Sequence, residues 1–274
     1  MPDNGDDLTA DIRRAFRDAR RAGRSLPDYP GTIPATLEAA YLIQNAAIRE
    51  WPDAVAGWKI GLIPPGVRDL YPQERLAGPI FARTVHVAEP GEIVDIRAIE
   101  GGFTAVEAEL LLHIACDIAP GSVAEDAPLP PLIAAAHLGI EPAGSPLSAI
   151  NDLGPAVVVS DFGNNAGVVI GQRLAGDLET LLGPEPPALR VETLVNGERI
   201  GEKPLTAIPG GPGRALRFLL RNLGRRGITL PQGAWISTGA ITGVHRVEPG
   251  DEAMVTMEGV GELKVRFVPA QPLE

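Results

Sequence analysis

The most informative stretch of the sequence is FTAVEAELLLHI, residues 103–114. Successive side chains on a β-strand point to opposite faces, and the stretch separates cleanly on that basis. One face, from Val106 to Ile114, carries only apolar side chains. The other face carries Glu107 and Glu109, which point the same way with Cα atoms roughly 6.5–7 Å apart. The stretch therefore predicts a core strand that presents two neighbouring carboxylates.

Two like charges on so hydrophobic a strand are costly unless something neutralises them. Protonation, a divalent cation, or exposure of that face to solvent would each relieve the repulsion. A third acid, Glu141, follows an alanine-rich, helix-like stretch at 134–136 and lies at an element boundary, the usual location of site residues. Three carboxylates without a cysteine suit a hard ion, so Glu107, Glu109 and Glu141 are candidate ligands of Mg²⁺ or Mn²⁺.

Lysine is rare in this chain. The 24 basic residues include three lysines, Lys59, Lys203 and Lys264, and arginine supplies the rest. Lys59 lies inside the apolar run GWKIGL, residues 57–62. The pKa of an ammonium group can be tuned by burial, whereas that of a guanidinium group practically cannot. The choice of residue favours an amine with a chemical role, and a lysine that snorkels at a strand edge is the alternative.

Two polar segments that follow apolar runs are candidates for ligand contacts. The segment SDFGNNAG, residues 160–167, is suited either to binding a small polar ligand or to a plain turn. Its polar side chains are those of Ser160, Asp161, Asn164 and Asn165. The second segment is Ser237-Thr238-Gly239, in which the Thr238 hydroxyl and nearby backbone amides could face an anion.

The wider sequence indicates an α+β fold. Residues 1–78 are expected to be mainly helical and to contribute Lys59, with Thr36 as the N-cap of a helix. Residues 79–274 are expected to form a large mixed β-domain, because short apolar runs alternate there with glycine-containing turns. Asn196-Gly197 between two such runs is a strong hairpin signal. One helix, at 214–223, is expected to interrupt this region.

Charge and composition exclude several classes of partner. The net charge of −11 argues against binding to nucleic acid or to an anionic membrane, which both require a basic face. No stretch approaches the roughly 20 apolar residues of a spanning helix. The single cysteine, Cys116, excludes an intramolecular disulfide and fits a cytoplasmic location. The one basic cluster is interpreted as the solvated side of an amphipathic helix; it comprises Arg13, Arg14, Arg17, Arg20, Arg21 and Arg24.

Taken in order, these segments resemble the fumarylacetoacetate hydrolase superfamily, in particular its 2-keto-4-pentenoate hydratase and 2-oxo-3-enedioate decarboxylase branch. The resemblance covers most of the chain from about residue 36 onward. The matching pieces are GWKIGL at 57–62, VEAEL at 106–110, Ile140-Glu141, residues 160–167, LVNGE at 194–198, and a C-terminal set from Gly233 to Phe267. The chain departs from the family pattern at Ile63-Pro64, at 142–145 and at 162–165, all near the expected substrate site.

The resemblance implies a particular fold and site. It implies a β-rich domain around a mixed, partly rolled sheet, usually in a homo-oligomer. In the family, the E-x-E pair and a later glutamate bind Mg²⁺ or Mn²⁺, and the motif lysine acts in catalysis. By position these are Glu107, Glu109, Glu141 and Lys59, with Asp161 as a further catalytic candidate. Substrate contacts are expected from the remaining polar residues, Ser160, Asn164, Asn165 and Thr238.

The reaction expected from this resemblance is metal-dependent hydration of a 2-hydroxy-2,4-dienoate to a 4-hydroxy-2-oxo acid, as in the catabolism of aromatic compounds. Three alternatives stay open. A 2-oxo-3-enedioate decarboxylase would use the same chelate and enolate but expel CO₂. An acylpyruvate hydrolase would need a histidine–glutamate pair to activate water, and His86 is the only histidine before the E-x-E strand. A catalytically silent partner subunit is the fourth possibility.

Overall fold

Five helices and thirteen strands form within residues 4–273, the part of the chain that the computed structural model describes, with side chains from Thr9 onward. Residues 1–3 and 274, at the outer ends of the two expected regions, lie outside it. The helices are α1 (Asn4–Ala22), α2 (Leu37–Glu50), α3 (Pro155–Ser160), α4 (Leu178–Leu182) and α5 (Gly211–Arg225).

The strands form two mixed sheets. They are β1 (Val55–Leu62), β2 (Arg75–Phe81), β3 (Val85–Val87), β4 (Ile93–Ala98), β5 (Phe103–Ile114), β6 (Ile133–Ser145), β7 (Val168–Arg173), β8 (Arg190–Val195), β9 (Glu198–Pro204), β10 (Trp235–Ser237), β11 (His245–Arg246), β12 (Glu252–Met257) and β13 (Gly261–Pro269). The larger sheet runs β2-β1-β10-β5-β6-β7-β3, and β11 also pairs with β5. The smaller sheet runs β4-β13-β12-β8-β9. This arrangement confirms the predicted α+β fold.

Strand β5 lies inside the larger sheet and is buried on both faces. Its apolar face contributes Val106, Ala108, Leu110 and Leu112 to the main hydrophobic core. The opposite face is also shielded from solvent, so the two glutamates do not line an exposed acidic surface. The strand predicted from alternation is therefore correct, and the solvent-exposed alternative for its acidic face is wrong.

The smaller sheet contains the predicted hairpin. Strands β8 and β9 pair antiparallel around Asn196 and Gly197, whose φ angles are 50° and 81°. Positive φ at both central residues is what a tight hairpin turn of this kind requires, and Asn-Gly tolerates it best. Helix α5 covers the predicted span and buries Leu216, Leu219 and Leu223.

The helical part of the chain is shorter than residues 1–78. Helix α2 begins after Thr36, whose hydroxyl accepts a hydrogen bond from the Ala39 N–H at 3.2 Å, as predicted for an N-cap. It ends at Glu50, and β1 and β2 then pair with each other in the larger sheet. The expected boundary between residues 78 and 79 falls inside β2. No helix among the described residues has both the length and the apolar character to cross a membrane.

The alanine-rich stretch before Glu141 is a strand, so its helical interpretation is wrong. Residues 134–136 belong to β6, which pairs with β5 on one side and β7 on the other. Alanine favours helix in isolation, but burial between two strands overrides that preference. Glu141 consequently lies in the middle of β6 rather than at an element boundary.

Candidate metal centre and active site

The pairing of β5 with β6 brings the three glutamates together. Glu107 lies directly opposite Glu141, and Glu109 is two residues further along the same face of β5. One carboxylate oxygen from each of the three lies within 4.8 Å of the others. Their exposed fractions are 5% for Glu107 and 0% for Glu109 and Glu141. The carboxylates therefore form a group that can hold a metal ion, as the sequence predicted.

A glycine on β6 leaves room for a side chain of β5 beside the glutamates. Gly139 is the cross-strand partner of Glu109. A Cβ at this position would lie 2.3 Å from Cγ of Leu111, which fills the space that a side chain on Gly139 would take. Any larger residue would displace Leu111, and Leu111 follows Glu109 on the same face of β5. The glycine thus makes room for the Leu111 side chain on the face that carries the glutamates.

Lys59 comes to the carboxylates from the neighbouring strand β1. It pairs with Ser237 of β10 on one side and with Gly78 of β2 on the other. Its Nζ lies 3.2 Å from Oε1 of Glu141 and donates a hydrogen bond to Oδ1 of Asn164 at 3.1 Å. The Lys59 side chain is 4% exposed, so it does not snorkel to solvent. Three carboxylates therefore face a single buried ammonium group.

Burial shifts the pKa of every group in this cluster. It raises the pKa of Glu107 to about 8, against the attraction of Lys59. It raises the pKa of Glu109 well above its usual range, and repulsion from Glu141 adds to the rise. The pKa of Glu141 is also raised by burial, against Lys59. Burial alone would lower the pKa of Lys59, but the carboxylates outweigh it and raise that pKa above its usual value.

Two carboxylate oxygens in the cluster have no hydrogen-bond partner within the described residues. They are Oε1 of Glu109 and Oε2 of Glu141, both fully buried. The other oxygen of Glu109 accepts a hydrogen bond from the Gly239 N–H at 2.6 Å. A buried acceptor without a partner carries the full cost of its desolvation, roughly 1–3 kcal/mol or more for a charged group. A cation between the oxygens would remove that cost.

The turn at 162–164 carries two of the predicted ligand contacts to the cluster. Oδ1 of Asn164 accepts from Lys59, and Nδ2 of Asn164 donates to Oδ1 of Asn151 at 3.0 Å. Nδ2 of Asn165 donates to Oε1 of Glu141 at 3.2 Å. The two asparagines therefore contact the ammonium and one carboxylate directly.

The backbone of this turn is strained. The φ angles of Phe162, Gly163 and Asn164 are 54°, 67° and 53°, three left-handed residues in succession. Each non-glycine residue in this region costs roughly 1–3 kcal/mol, and such strain persists only where the surroundings hold it. The turn packs so closely on β2 that a Cβ on Gly78 would lie 2.1 Å from the Phe162 carbonyl oxygen.

Three of the predicted site residues have their polar atoms engaged elsewhere. The Ser160 hydroxyl donates to the Ala156 carbonyl at 2.7 Å, and the Thr238 hydroxyl donates to the Leu110 carbonyl at 2.8 Å. The backbone N–H of Gly239, the residue after Thr238, donates to an anion, which is the Glu109 carboxylate. The Asp161 carboxylate is fully buried and binds Arg20 and Ser145 rather than facing the glutamates.

Arg20 is the residue that the sequence interpretation missed. Arg13, Arg14 and Arg17 of α1 form ion pairs near the surface, such as that of Arg13 with Glu50. Arg20 instead forms two hydrogen bonds to the Asp161 carboxylate, with Nε–Oδ1 at 2.5 Å and Nη2–Oδ2 at 2.9 Å, so its solvated interpretation is wrong. The signal was its spacing: it follows the buried Phe16 by four residues and therefore shares that face of the helix.

Sequence comparison finds relatives for one part of the chain. No family model matches the sequence. A 4-oxalocrotonate decarboxylase of Pseudomonas putida is 33% identical over 115 residues, which are 40% of this chain and 40% of that protein. A second 4-oxalocrotonate decarboxylase, from Pseudomonas sp. (strain CF600), is 30% identical over 115 residues. The aligned region thus spans well under half the length of these curated relatives.

Structure comparison extends the likeness to nearly the whole chain. The 4-oxalocrotonate decarboxylase of Pseudomonas putida G7, complexed with magnesium and adipate, superposes with a TM-score of 0.76 at 23% identity, covering 96% of this chain and 98% of that one. A fumarylpyruvate hydrolase of Pseudomonas aeruginosa, in complex with Mn²⁺ and pyruvate, superposes with a TM-score of 0.56 at 16% identity, covering 78% and 89%. These matches show that the chain shares the fold of the two enzymes over most of its length, which agrees with the fold that the ordered motifs implied.

Proposed function

We propose that this protein is a metal-dependent enzyme that decarboxylates a 2-oxo-3-enedioate. The observation that carries the proposal is the buried cluster of Glu107, Glu109 and Glu141 with Lys59 at its edge. Both curated relatives with sequence similarity are 4-oxalocrotonate decarboxylases, which favours this reaction over the hydration expected from the motifs alone.

The donor set of the cluster fits a hard divalent cation. It offers carboxylate oxygens only, and two of these are buried without a partner among the described residues. All-oxygen sites suit Mg²⁺ and Mn²⁺ better than zinc. Glu107, Glu109 and Glu141 would hold the ion. When bound, such an ion neutralises the carboxylates and supplies Lewis-acid stabilisation of negative charge on the carboxylate and 2-oxo oxygens of a substrate.

The remaining residues of the cluster have distinct roles in the proposal. Lys59 supplies a buried cationic donor at the oxygen where negative charge develops. Asn164 accepts a hydrogen bond from Lys59 and so orients its ammonium group. Asn165 does the same for the Glu141 carboxylate. Because the cluster is almost fully buried, water is largely excluded and these interactions are stronger than they would be in solvent.

Decarboxylation needs a place for one electron pair. The bond between C5 and the C6 carboxylate of 2-oxohex-3-enedioate breaks, and CO₂ leaves. The electron pair of the broken C5–C6 bond forms a new C4–C5 double bond, and the C3–C4 pair shifts in turn so that negative charge reaches the 2-oxo oxygen. The product is 2-hydroxypenta-2,4-dienoate once that oxygen takes a proton, and the proposal assigns Lys59 as the donor. The chain's contribution is to hold positive charge beside this oxygen.

Hydration of a 2-hydroxy-2,4-dienoate is the second candidate. It is favoured by the ordered motifs, GWKIGL and VEAEL among them, which match the hydratase members of the branch as well as the decarboxylases. Negative charge collects on the same 2-oxygen in both reactions, so the cluster serves either one. Carbon–carbon bond hydrolysis is less favoured, because no histidine within the described residues forms a hydrogen bond or an ion pair with a glutamate.

The two candidates are separated by product analysis. The purified chain is incubated with Mg²⁺ and 2-oxohex-3-enedioate, and CO₂ release is measured together with the absorbance of the dienol. A parallel incubation starts from 2-hydroxypenta-2,4-dienoate and looks for 4-hydroxy-2-oxopentanoate. CO₂ release that stops with EDTA and in Glu141→Gln supports the decarboxylase. Hydration without CO₂ release would replace it by the second candidate, and turnover of neither substrate would reject both.

A further inference from the structure

The left-handed turn at 162–164 is held from both ends by one side chain of α1. Asp161 precedes the turn, and its carboxylate receives hydrogen bonds from Nε and Nη2 of Arg20 at 2.5 and 2.9 Å. Asn165 follows the turn, and its carbonyl receives a hydrogen bond from Nη1 of Arg20 at 3.1 Å. A single planar guanidinium group thus bridges the two residues that flank the turn.

The same guanidinium also reaches the strand that carries Glu141. Nη2 of Arg20 donates to the Gly144 carbonyl of β6 at 2.8 Å. Ser145, the next residue, donates to Oδ2 of Asp161 at 2.6 Å. The turn and β6 are therefore tied together through Arg20 and Asp161. The Asp161 side chain is 0% exposed and that of Arg20 is 12% exposed, so the ion pair is scarcely screened by solvent.

Conformations as unfavourable as three successive left-handed residues persist only where other contacts hold them. Asn164, the last of the three, accepts the hydrogen bond from Lys59, and Asn165 donates to Glu141. Any relaxation of the turn would move both amide groups. The network thus runs from Arg20 through Asp161 and the turn to the ammonium and one of the carboxylates.

We propose that Arg20 is a positioning residue of the active site: by clamping Asp161 and the Asn165 carbonyl, it holds the strained turn so that Asn164 and Asn165 orient Lys59 and Glu141. Among the described residues, Arg20 forms hydrogen bonds to Asp161, Asn165 and Gly144 but not to Lys59 or the glutamates, so it acts through the turn. We call the group formed by Arg20, Asp161, Ser145 and the Asn165 carbonyl the clamp. Within it, Asp161 binds Arg20 and does not act as an acid or base. The role in catalysis rests on the proposed function, whereas the role in holding the turn does not.

The first test is independent of activity. Hydrogen–deuterium exchange is followed at the amides of Asn164, Asn165 and Ala166, which are protected by hydrogen bonds to Asp161, Phe162 and Pro142. In Arg20→Met, exchange of these amides should rise by about 10-fold or more, because local opening governs exchange. Arg17→Met is the matched control on the same helix and should leave them unchanged. Unaltered exchange in Arg20→Met would overturn the proposal.

Two further variants keep this test decisive. Arg20→Lys retains the charge but has one nitrogen, so it cannot bridge both ends of the turn; its exchange should lie between wild type and Arg20→Met. If Arg20→Met does not fold, Ser145→Ala removes one hydrogen bond from Asp161 and should still raise exchange in the turn but not in α5. Equal protection in Arg20→Lys and wild type would show that charge alone suffices and would reject the bridging geometry.

The second test measures turnover and separates positioning from general stability. Arg20→Met should lower kcat by about 10- to 100-fold with little change in KM, as for other residues that orient the groups in contact with a ligand. In an Asn164→Ala background the same substitution should lower kcat by a smaller factor than it does alone, because part of its effect passes through Asn164. Additive losses would overturn the proposal. If the wild-type protein turns over no substrate, the proposed function fails. The hydrogen-exchange result then still tests whether Arg20 holds the turn.

Discussion

Two buried ionic clusters contact the segment at 161–165, and they are built differently. In the clamp, both oxygens of Asp161 are hydrogen-bonded, to Arg20 and Ser145, and its charge is balanced by the guanidinium group. In the metal centre, three carboxylates face one ammonium group, and two oxygens have no partner within the described residues. In the clamp, protein atoms alone balance the charge and occupy both carboxylate oxygens. In the glutamate cluster, a further positive charge is needed to balance the three carboxylates.

This difference indicates which buried charges serve structure and which serve function. Breaking a buried ion pair costs much free energy, because removing one partner leaves the charge of the other buried and without a counter-charge. An incompletely paired cluster is costly as it stands, and the cost falls when the missing ligand binds. Substitutions in the clamp should therefore change stability most, and substitutions in the centre should change ligand binding and turnover most.

The largest effect is expected for Glu141→Gln. This change removes one proposed metal ligand and the carboxylate beside Lys59, so Mn²⁺ binding should weaken strongly and turnover should fall by at least about 10³-fold. Titration calorimetry with Mn²⁺ and steady-state kinetics measure the two losses. Glu185→Gln, at an exposed loop position, is the control and should behave as wild type. Undiminished Mn²⁺ affinity in Glu141→Gln would contradict the assignment of the centre.

Lys59→Met should have a smaller and more selective effect. Methionine preserves most of the packing but removes the charge, so turnover should fall by about 10²–10³-fold while Mn²⁺ affinity is kept or improved. Affinity need not fall, because the ammonium repels a bound cation. Lys264→Met, at a partly exposed position on β13, is the matched control. Turnover within a few-fold of wild type would leave Lys59 with a packing role only.

Asp161→Asn tests the clamp. The amide keeps the shape but leaves the Arg20 guanidinium without its counter-charge, so unfolding should become easier by roughly 3 kcal/mol. Chemical denaturation measures this loss, and Mn²⁺ affinity should change by much less than in Glu141→Gln. A variant with wild-type stability but no metal binding would show that Asp161 belongs functionally to the centre, and the contrast between the two clusters would fail.

The smallest effect is a pH dependence of metal stabilisation. Because the pKa of Glu107 is raised to about 8 in the folded chain, folded protein holds a proton that unfolded protein releases near pH 4.5. This group therefore favours folding at low pH, and that contribution is lost as pH rises towards 8. A metal ion competes with the proton, so the rise in Tm caused by Mn²⁺ should be larger at pH 8 than at pH 5.5. Thermal denaturation with and without Mn²⁺ at both pH values measures this difference. An equal rise in Tm at the two pH values would contradict the raised pKa of Glu107.

The sequence predicted those parts of the site that are encoded locally. Strand alternation in 103–114 was sufficient for β5 and for the shared direction of Glu107 and Glu109. Glu141 was identified correctly as a member of the group, although its strand was mistaken for a helix. Alanine's helical preference is a local property, and burial between β5 and β7 is not.

The clamp could not be predicted in the same way. Arg20 and Asp161 are far apart in the chain, and nothing in the local sequence links an arginine on a helix to an aspartate in a loop. The polar segment at 160–167 was recognised as a binding loop or a turn, but the left-handed conformation depends on contacts with α1, β2 and β6. Such long-range pairing becomes visible only in three dimensions.

The parallel pairing of β1 with β10 also has a consequence for folding. The glutamates lie on adjacent strands β5 and β6, which can associate early because the chain between them is short. Lys59 reaches its place only when β1 pairs with Ser237, near the other end of the sequence. Contacts between such distant residues form slowly, since a long loop must close before the pairing stabilises it. The carboxylates are therefore expected to meet before their ammonium partner arrives, and a divalent cation present during refolding would neutralise them in that interval.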